Sequence, residues 1–122
     1  MSISVGMVTF DTTDARALAA WWAEQTGGTV VDEMEGFFVM VTTPTGVDLG
    51  FQKVPDPTPG KNRLHLECGS ADPGTEVERL VAAGATLVAF HDEIPDFTWT
   101  VLADPDGNQF CVAAPPEEPQ SP

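Results

Sequence analysis

The sequence repeats itself once, and this repeat restricts the folds available to the chain more than any other feature. Equivalent positions in the two halves lie 58, 58, 57 and 61 residues apart: Met7 and His65, Asp14 and Asp72, Thr29 and Thr86, and Gly46 and Gly107. The nearly constant separation indicates that one supersecondary unit occurs twice within 122 residues. We therefore expect two similar modules, joined by the Pro-rich segment 55–60.

The first copy has the pattern of a strand, a helix and three strands. Apolar residues at helical spacing predict a helix over Ala15–Gln25. We expect Asp14 or a neighbouring threonine to cap this helix and the Gly27-Gly28 pair to end it. Alternating and β-branched runs predict strands over Ile3–Phe10, Thr29–Asp32, Phe37–Thr42 and Val47–Val54.

The second copy follows the same order. Its helix is predicted to open at Asp72-Pro73 and to end at Gly84. Its predicted strands are Arg63–Cys68, Thr86–Phe90, Phe97–Leu102 and Asn108–Ala113. Because one unit alone leaves a sheet face uncovered, the two must pair. The sequence thus predicts an α+β fold in one domain over residues 1–114, with modules at about 1–54 and 61–114 and a disordered acidic tail over 115–122.

The charge balance excludes one large class of partners. Nineteen acidic residues against five basic ones give a formal net charge of −14. Nucleic acids and anionic membranes require a basic surface, so neither is expected as a partner. An acidic surface attracts cationic ligands, but it also serves solubility alone.

Cysteines and termini predict a cytoplasmic protein. Only two cysteines occur, Cys68 and Cys111, and they form no paired motif. The N-terminal residues lack a signal-peptide pattern, and no apolar run is long enough to span a membrane. We therefore expect a cytoplasmic protein with reduced thiols.

The second copy carries the residues by which a family can be recognised. His65-Leu-Glu67 lies in a predicted strand, Asp72 follows seven residues after the histidine, and Asp104-Pro-Asp-Gly-Asn108 turns into the last strand. This pattern resembles the vicinal oxygen chelate superfamily over about residues 3–113, and in particular a glyoxalase-like subgroup common in actinobacteria. The resemblance implies a glyoxalase/bleomycin resistance/dihydroxybiphenyl dioxygenase fold, in which the sheets curl into a cup around a small-molecule ligand. It also implies a homodimer.

The resemblance further implies a divalent metal, held by the first and last strands of each module. The corresponding residues here are Met7, Gly50 or Gln52, His65, and Cys111. A thioether does not serve a hard ion, so we expect no conventional metal site and no other cofactor. If a metal binds, the expected ligands are His65 with Gln52 or Glu67; a soft ion such as Cu(I) on Met7, His65 and Cys111 is the other alternative.

His65 and Glu67 form the candidate catalytic pair. A histidine beside a carboxylate could act as a general base or bind a ligand through hydrogen bonds. The alternative is a core histidine with Glu67 as its structural partner. The residues expected to contact a ligand are Met7, Gln52, His65, Glu67, Trp99 and Cys111.

Other aromatic and titratable residues are expected to be structural. Trp21 and Trp22 are adjacent, so one is predicted to pack under the sheet and the other to lie at a rim or at a subunit contact. His91 is expected in an acidic loop between strands. Cys111 has no basic neighbour in sequence, so a low-pKa thiolate is not expected there.

The sequence leaves three functions open. The first is a glyoxalase-like small-molecule-binding protein, or an unassigned lyase-type enzyme, without the conventional metal site. The second is a bleomycin-type resistance protein that sequesters a cationic antibiotic. The third is a metal-free enzyme with His65 as its base.

Overall fold

The computed structural model describes residues 5, 7–62 and 64–114. The chain divides into two compact units, Met1–Pro59 and Gly60–Pro122, so that the boundary falls inside the predicted linker. Each unit contains one module with four strands and one helix. The prediction that both modules belong to one domain stays a prediction.

The first module has the predicted order of elements. It comprises β1 (Met7–Thr12), α1 (Ala15–Thr26), β2 (Thr29–Val31), β3 (Phe38–Thr42) and β4 (Asp48–Lys53). The strands form one sheet in the order β1-β4-β3-β2. The β1–β4 pair is parallel, and the other two pairs are antiparallel, so the sheet is mixed.

Helix α1 begins and ends where the sequence predicts, and it covers one face of the first sheet. The Asp14 carboxylate accepts a hydrogen bond from the Ala17 amide at 3.1 Å, and Gly27 closes the helix with a φ of 70°. Leu18 and Trp22 are buried at this interface, and Trp21 is half-buried beside Trp22, as predicted. Fully burying one such side chain stabilises a fold by about 1.5–3 kcal/mol.

The second module repeats the first. It comprises β5 (Leu66–Gly69), α2 (Pro73–Ala82), β6 (Thr86–Ile94), β7 (Phe97–Ala103) and β8 (Gln109–Ala113). Its sheet order is β5-β8-β7-β6, with β5 parallel to β8. Gly46 and Gly107, which precede the last strands of the two modules, have φ values of 94° and 91°. The predicted α+β fold with two βαβββ modules is therefore confirmed.

The structure corrects several predicted boundaries. β6 runs to Ile94 rather than Phe90, and β5 begins at Leu66, so His65 directly precedes the strand. β1 extends to Thr12; its predicted start at Ile3 lies outside the described residues, as do Arg63 and the tail from residue 115. Helix α2 ends at Ala82, two residues before the glycine predicted to end it. Among the described residues, no helix is both long and apolar enough to cross a membrane.

Candidate functional site

The second sheet places its buried apolar residues on one face and a mixed set of polar and aromatic residues on the other. Leu102, Phe110 and Val112 are buried on the first face. Because side chains alternate along a strand, their neighbours point the opposite way. The other face therefore carries three cross-strand pairs: Val101–Cys111, Glu67–Cys111 and His91–Trp99. We call this surface, with His65 at its edge, the polar face.

Three possible donor groups meet on the polar face. His65 Nε2 lies 2.7 Å from Glu67 Oε1. One ligand atom from each of His65, Glu67 and Cys111 lies within 4.8 Å of the others. The His65 and Glu67 side chains are 46% and 73% exposed. The alternative interpretation of His65 as a core histidine is therefore wrong for this chain. The structure brings two accessible side chains, His65 and Glu67, next to the buried thiol of Cys111.

The segment before β5 is held in place by Asn62, a residue that the sequence reasoning did not single out. The Asn62 Oδ1 atom accepts from the Gln109 amide at 3.0 Å, and its Nδ2 atom donates to the Gln109 carbonyl at 3.3 Å. Asn62 also donates to the Leu64 carbonyl. These bonds attach the segment immediately before His65 to the start of β8. An asparagine three residues before the histidine was the only sequence signal for this role.

The Asp104 turn, which leads directly into Gln109, also anchors the start of β8. Asp104 is 3% exposed, and its carboxylate accepts from the amides of Asp106 and Asn108 at 3.0 and 2.9 Å. It also accepts from the Asn108 side chain at 2.9 and 3.1 Å. A buried carboxylate is stable when it is satisfied in this way. The turn therefore sets the register of the strand that carries Cys111.

The His65–Glu67 pair has the geometry of an oriented imidazole. A carboxylate oxygen only accepts, so Nε2 is the donor in this bond. Nδ1 is then the ring nitrogen that remains to accept a proton or a hydrogen bond from a ligand. The pair can therefore act as a base or as a ligand-binding group.

The two cysteines do not form a redox pair in this arrangement. Cys111 is on the polar face, whereas Cys68, next to Glu67 in β5, points to the opposite face. Burial raises the pKa of the Cys68 thiol to about 11, with smaller contributions from Cys111 and Glu67. Burial, and then Glu67, also raise the pKa of Cys111. Both are therefore thiols at neutral pH, as the sequence indicates for Cys111.

His91 is the site residue that the sequence reasoning misplaced. The predicted acidic loop is part of β6, where His91 pairs with Trp99 of β7. Their rings stack with centroids 4.8 Å apart and planes 18° apart. Three consecutive polar residues, His91-Asp-Glu93, interrupt the apolar alternation after Phe90, so the sequence pattern contained no clear signal for the longer strand. Trp99, predicted to face the ligand, thus lies on the polar face with His91 beside it.

The first module offers fewer donors at the equivalent positions. Thr9 pairs with Gly50, as Glu67 pairs with Cys111, so Gly50 rather than Gln52 corresponds to Cys111. A Cβ atom on Gly50 would lie 2.6 Å from Met7 Sδ. The Met7 side chain therefore packs over Gly50. Gln52 lies two residues on along the same face and is exposed.

The family can be assigned from the whole pattern of the chain. The sequence matches the glyoxalase-like domain family over residues 7–113. The chain belongs to this family. This assignment confirms the predicted superfamily. No curated protein matches the sequence significantly.

Solved structures share the glyoxalase-like fold. A glyoxalase/bleomycin resistance protein/dioxygenase family enzyme from Burkholderia phytofirmans is 22% identical, with a TM-score of 0.74 over 89% of this chain and 96% of that one. A glyoxalase-related enzyme from Fulvimarina pelagi is 22% identical, with a TM-score of 0.74 over 97% and 92%. A variant of the fosfomycin resistance protein FosX from Listeria monocytogenes, solved with manganese(II) and 1S,2S-dihydroxypropylphosphonic acid, is 13% identical, with a TM-score of 0.78 over 95% and 93%. At these identities, the likeness shows the fold alone.

The donor set of this glyoxalase-like protein does not fit the conventional divalent metal that the superfamily resemblance implies. Gly50 has no side-chain donor, and the Met7 thioether packs over it. A hard ion prefers oxygen and imidazole nitrogen to sulfur. In the second module, His65 and Glu67 supply a nitrogen and an oxygen donor, but the position on the last strand is the sulfur of Cys111. The residues therefore support direct ligand contacts better than a step through such a metal.

Proposed function

We propose that this protein binds a small molecule on the polar face of its second sheet, through its own side chains rather than through the conventional divalent metal. The contacts are assigned to His65, Glu67, Cys111 and Trp99. Met7 and Gln52 lie in the first sheet, and their predicted ligand contacts stay predictions. The observation that carries the proposal is the cluster of the exposed His65 and Glu67 with the buried Cys111, in which one ligand atom from each residue lies within 4.8 Å of the others.

The composition of this face supports ligand binding. Binding sites are mostly apolar, with a few polar groups that fix the orientation of the ligand. Here Val101 and Trp99 supply apolar surface, and the His65–Glu67 pair supplies a hydrogen-bonding group. The His65 side chain is 46% exposed, so a ligand can reach it.

The same pair supports a second candidate function, a metal-free lyase-type enzyme. His65 held at 2.7 Å from a carboxylate has the arrangement of a general base with its orienting group. In that case, the ligand is a substrate that loses a proton to Nδ1. A bleomycin-type sequestering protein is the alternative without chemistry, and the net charge of −14 favours it for a cationic antibiotic.

Native mass spectrometry of protein purified from its host tests the binding proposal. We expect a small molecule to copurify with the wild-type chain and to be depleted in His65→Ala. The loss of its hydrogen bonds should weaken binding of that molecule by about 1–3 kcal/mol. The unfolding free energy should change by less than about 1 kcal/mol, because an exposed pair contributes little.

Glu78→Ala is the matched control, since Glu78 is an exposed acidic residue on α2. It should leave both the bound molecule and its affinity unchanged. A His65→Ala variant that binds the molecule like the wild type would refute the proposed site. Turnover of that molecule, abolished in His65→Ala, would select the enzyme over the sequestering protein.

Three further features of the proposal concern the subgroup, the location and the assembly of the protein. The motif Lys61-Asn-Arg-Leu-His-Leu-Glu67 supports the actinobacterial type of glyoxalase-like domain. Reduced cysteines support a cytoplasmic location. The edge strand β6 exposes Leu87 and Phe90 at 56% and 61%, and this apolar surface supports the proposed homodimer. Light scattering would test it, and a monomer at high concentration would contradict it.

A further inference from the structure

We propose that the aromatic end of the polar face, formed by His91, Phe97 and Trp99, binds a flat organic cation. The inference rests on the proposed function, since it names the ligand chemistry of the same face. It concerns the β6–β7 end of the sheet, which lies across the sheet from the His65 cluster on β5. None of the three residues belongs to that cluster.

The three rings form a continuous row. Trp99 stacks on His91 at 4.8 Å, with an angle of 18° between the ring planes. Phe97 lies 5.6 Å from Trp99 at 30°. Phe97 is 44% exposed, the His91 side chain is 34% exposed and Trp99 is half-buried. Near-parallel rings that remain accessible are suited to an added planar ring, which would extend the stack.

Carboxylates border this row, and no lysine or arginine of the same chain segment neutralises them. Residues 80–122 contain no lysine or arginine. Within the same stretch, Asp92, Glu93 and Asp96 are exposed around the turn between β6 and β7. Glu93 Oε1 accepts from His91 Nδ1 at 3.0 Å. The carboxylate is therefore fixed directly beside the ring with which a ligand would stack.

The rings favour a flat aromatic ligand, and the carboxylates favour a positively charged one. Aromatic faces attract cations as well as other rings. A neighbouring carboxylate adds an ionic contact and repels anions such as phosphates. A cation without a ring would lose the stacking contact, and a neutral ring would lose the ionic one. A delocalised cation on a flat ring, for example an N-alkylated heteroaromatic, satisfies both.

Three probes separate these contributions in calorimetric titrations at low salt. The probes are 1-methylquinolinium, its uncharged counterpart quinoline, and tetramethylammonium. We expect 1-methylquinolinium to bind the wild-type chain most tightly of the three, with an affinity about 3- to 30-fold higher than that of quinoline. Trp99→Leu should abolish this preference. Glu93→Gln, a change at a 65% exposed side chain that should not disturb folding, should weaken 1-methylquinolinium by about two- to fivefold.

Two matched controls lie away from the row. Trp21→Phe alters a tryptophan of α1, and Glu78→Gln neutralises an exposed carboxylate of α2; both should bind 1-methylquinolinium like the wild type. Equal binding of quinoline and 1-methylquinolinium would overturn the proposal, and so would 1-methylquinolinium binding that Trp99→Leu and Glu93→Gln leave unchanged. Failure of the proposed function would give a different result: the amount of copurifying small molecule would be the same in His65→Ala as in the wild type.

Discussion

The clearest consequence for the first module concerns Gly50, the counterpart of Cys111. We expect Gly50→Ala to destabilise the protein, because a Cβ atom would lie 2.6 Å from Met7 Sδ, 2.8 Å from Phe38 Cζ and 2.9 Å from Thr9 Oγ1. Each distance is too short for a real contact, so these side chains must move. Overpacking of this kind costs about 1–3 kcal/mol.

A double-mutant cycle attributes that cost to Met7. Met7→Ala removes the nearest of the three atoms, so Gly50→Ala should cost less in that background, with a coupling energy of at least about 0.5 kcal/mol. Urea unfolding followed by circular dichroism measures all four variants. Gly74→Ala is the control, since its new Cβ atom would meet only Asp72 Oδ1 at 3.9 Å; it should be neutral or stabilising. Additive effects of Met7→Ala and Gly50→Ala would refute the packing role of Met7.

Three further predictions concern stability and thiol chemistry. Asp104→Ala should lower the unfolding free energy measured in urea by about 1–3 kcal/mol, because it removes the acceptor of four hydrogen bonds from Asp106 and Asn108. Asp104→Asn should cost less, and equal losses would contradict the acceptor role. Cys68 and Cys111 should react slowly with iodoacetamide at pH 7.5 in the native protein and quickly in urea, since burial raises both thiol pKa values; fast native alkylation would oppose this. Hydrogen bonds from Thr75 lower the pKa of Asp72 in the folded state. The stabilisation that the Asp72 carboxylate gives the folded protein is therefore present at pH values above the ordinary carboxyl range, and it is lost as the pH falls through the lowered pKa. Asp72→Ala should therefore reduce the melting temperature at pH 7 more than at pH 2.5, and a pH-independent difference would be inconsistent with this.

The fold could be predicted because several local signals agree with one another. The repeat fixed the order of elements, and Asp14 and Gly27 mark the two ends of α1 by capping chemistry that acts within a few residues. The adjacent Trp21 and Trp22 could be divided between core and rim from helical geometry alone. Each of these inferences depends on local backbone chemistry, which a sequence shows directly.

The site could be predicted only in part, because pairing and exposure depend on strands far apart in sequence. A two-residue period cannot distinguish Gly50 from Gln52, and the Thr9–Gly50 pair settles the register. His91 was assigned to a loop because Asp92, Glu93 and Pro95 follow it, although β6 continues with an irregularity before Ile94. The exposure of His65 follows from its place just before β5.

The metal content of the purified protein tests the central claim, that the site works through its side chains rather than through the conventional divalent metal. Protein purified without added ions should contain well under one equivalent of zinc, manganese, iron or nickel by mass spectrometry. Its melting temperature should not change with EDTA, because no ion that stabilises the native state is removed. One equivalent of metal that is lost in His65→Ala, together with a lower melting temperature in EDTA, would contradict the account.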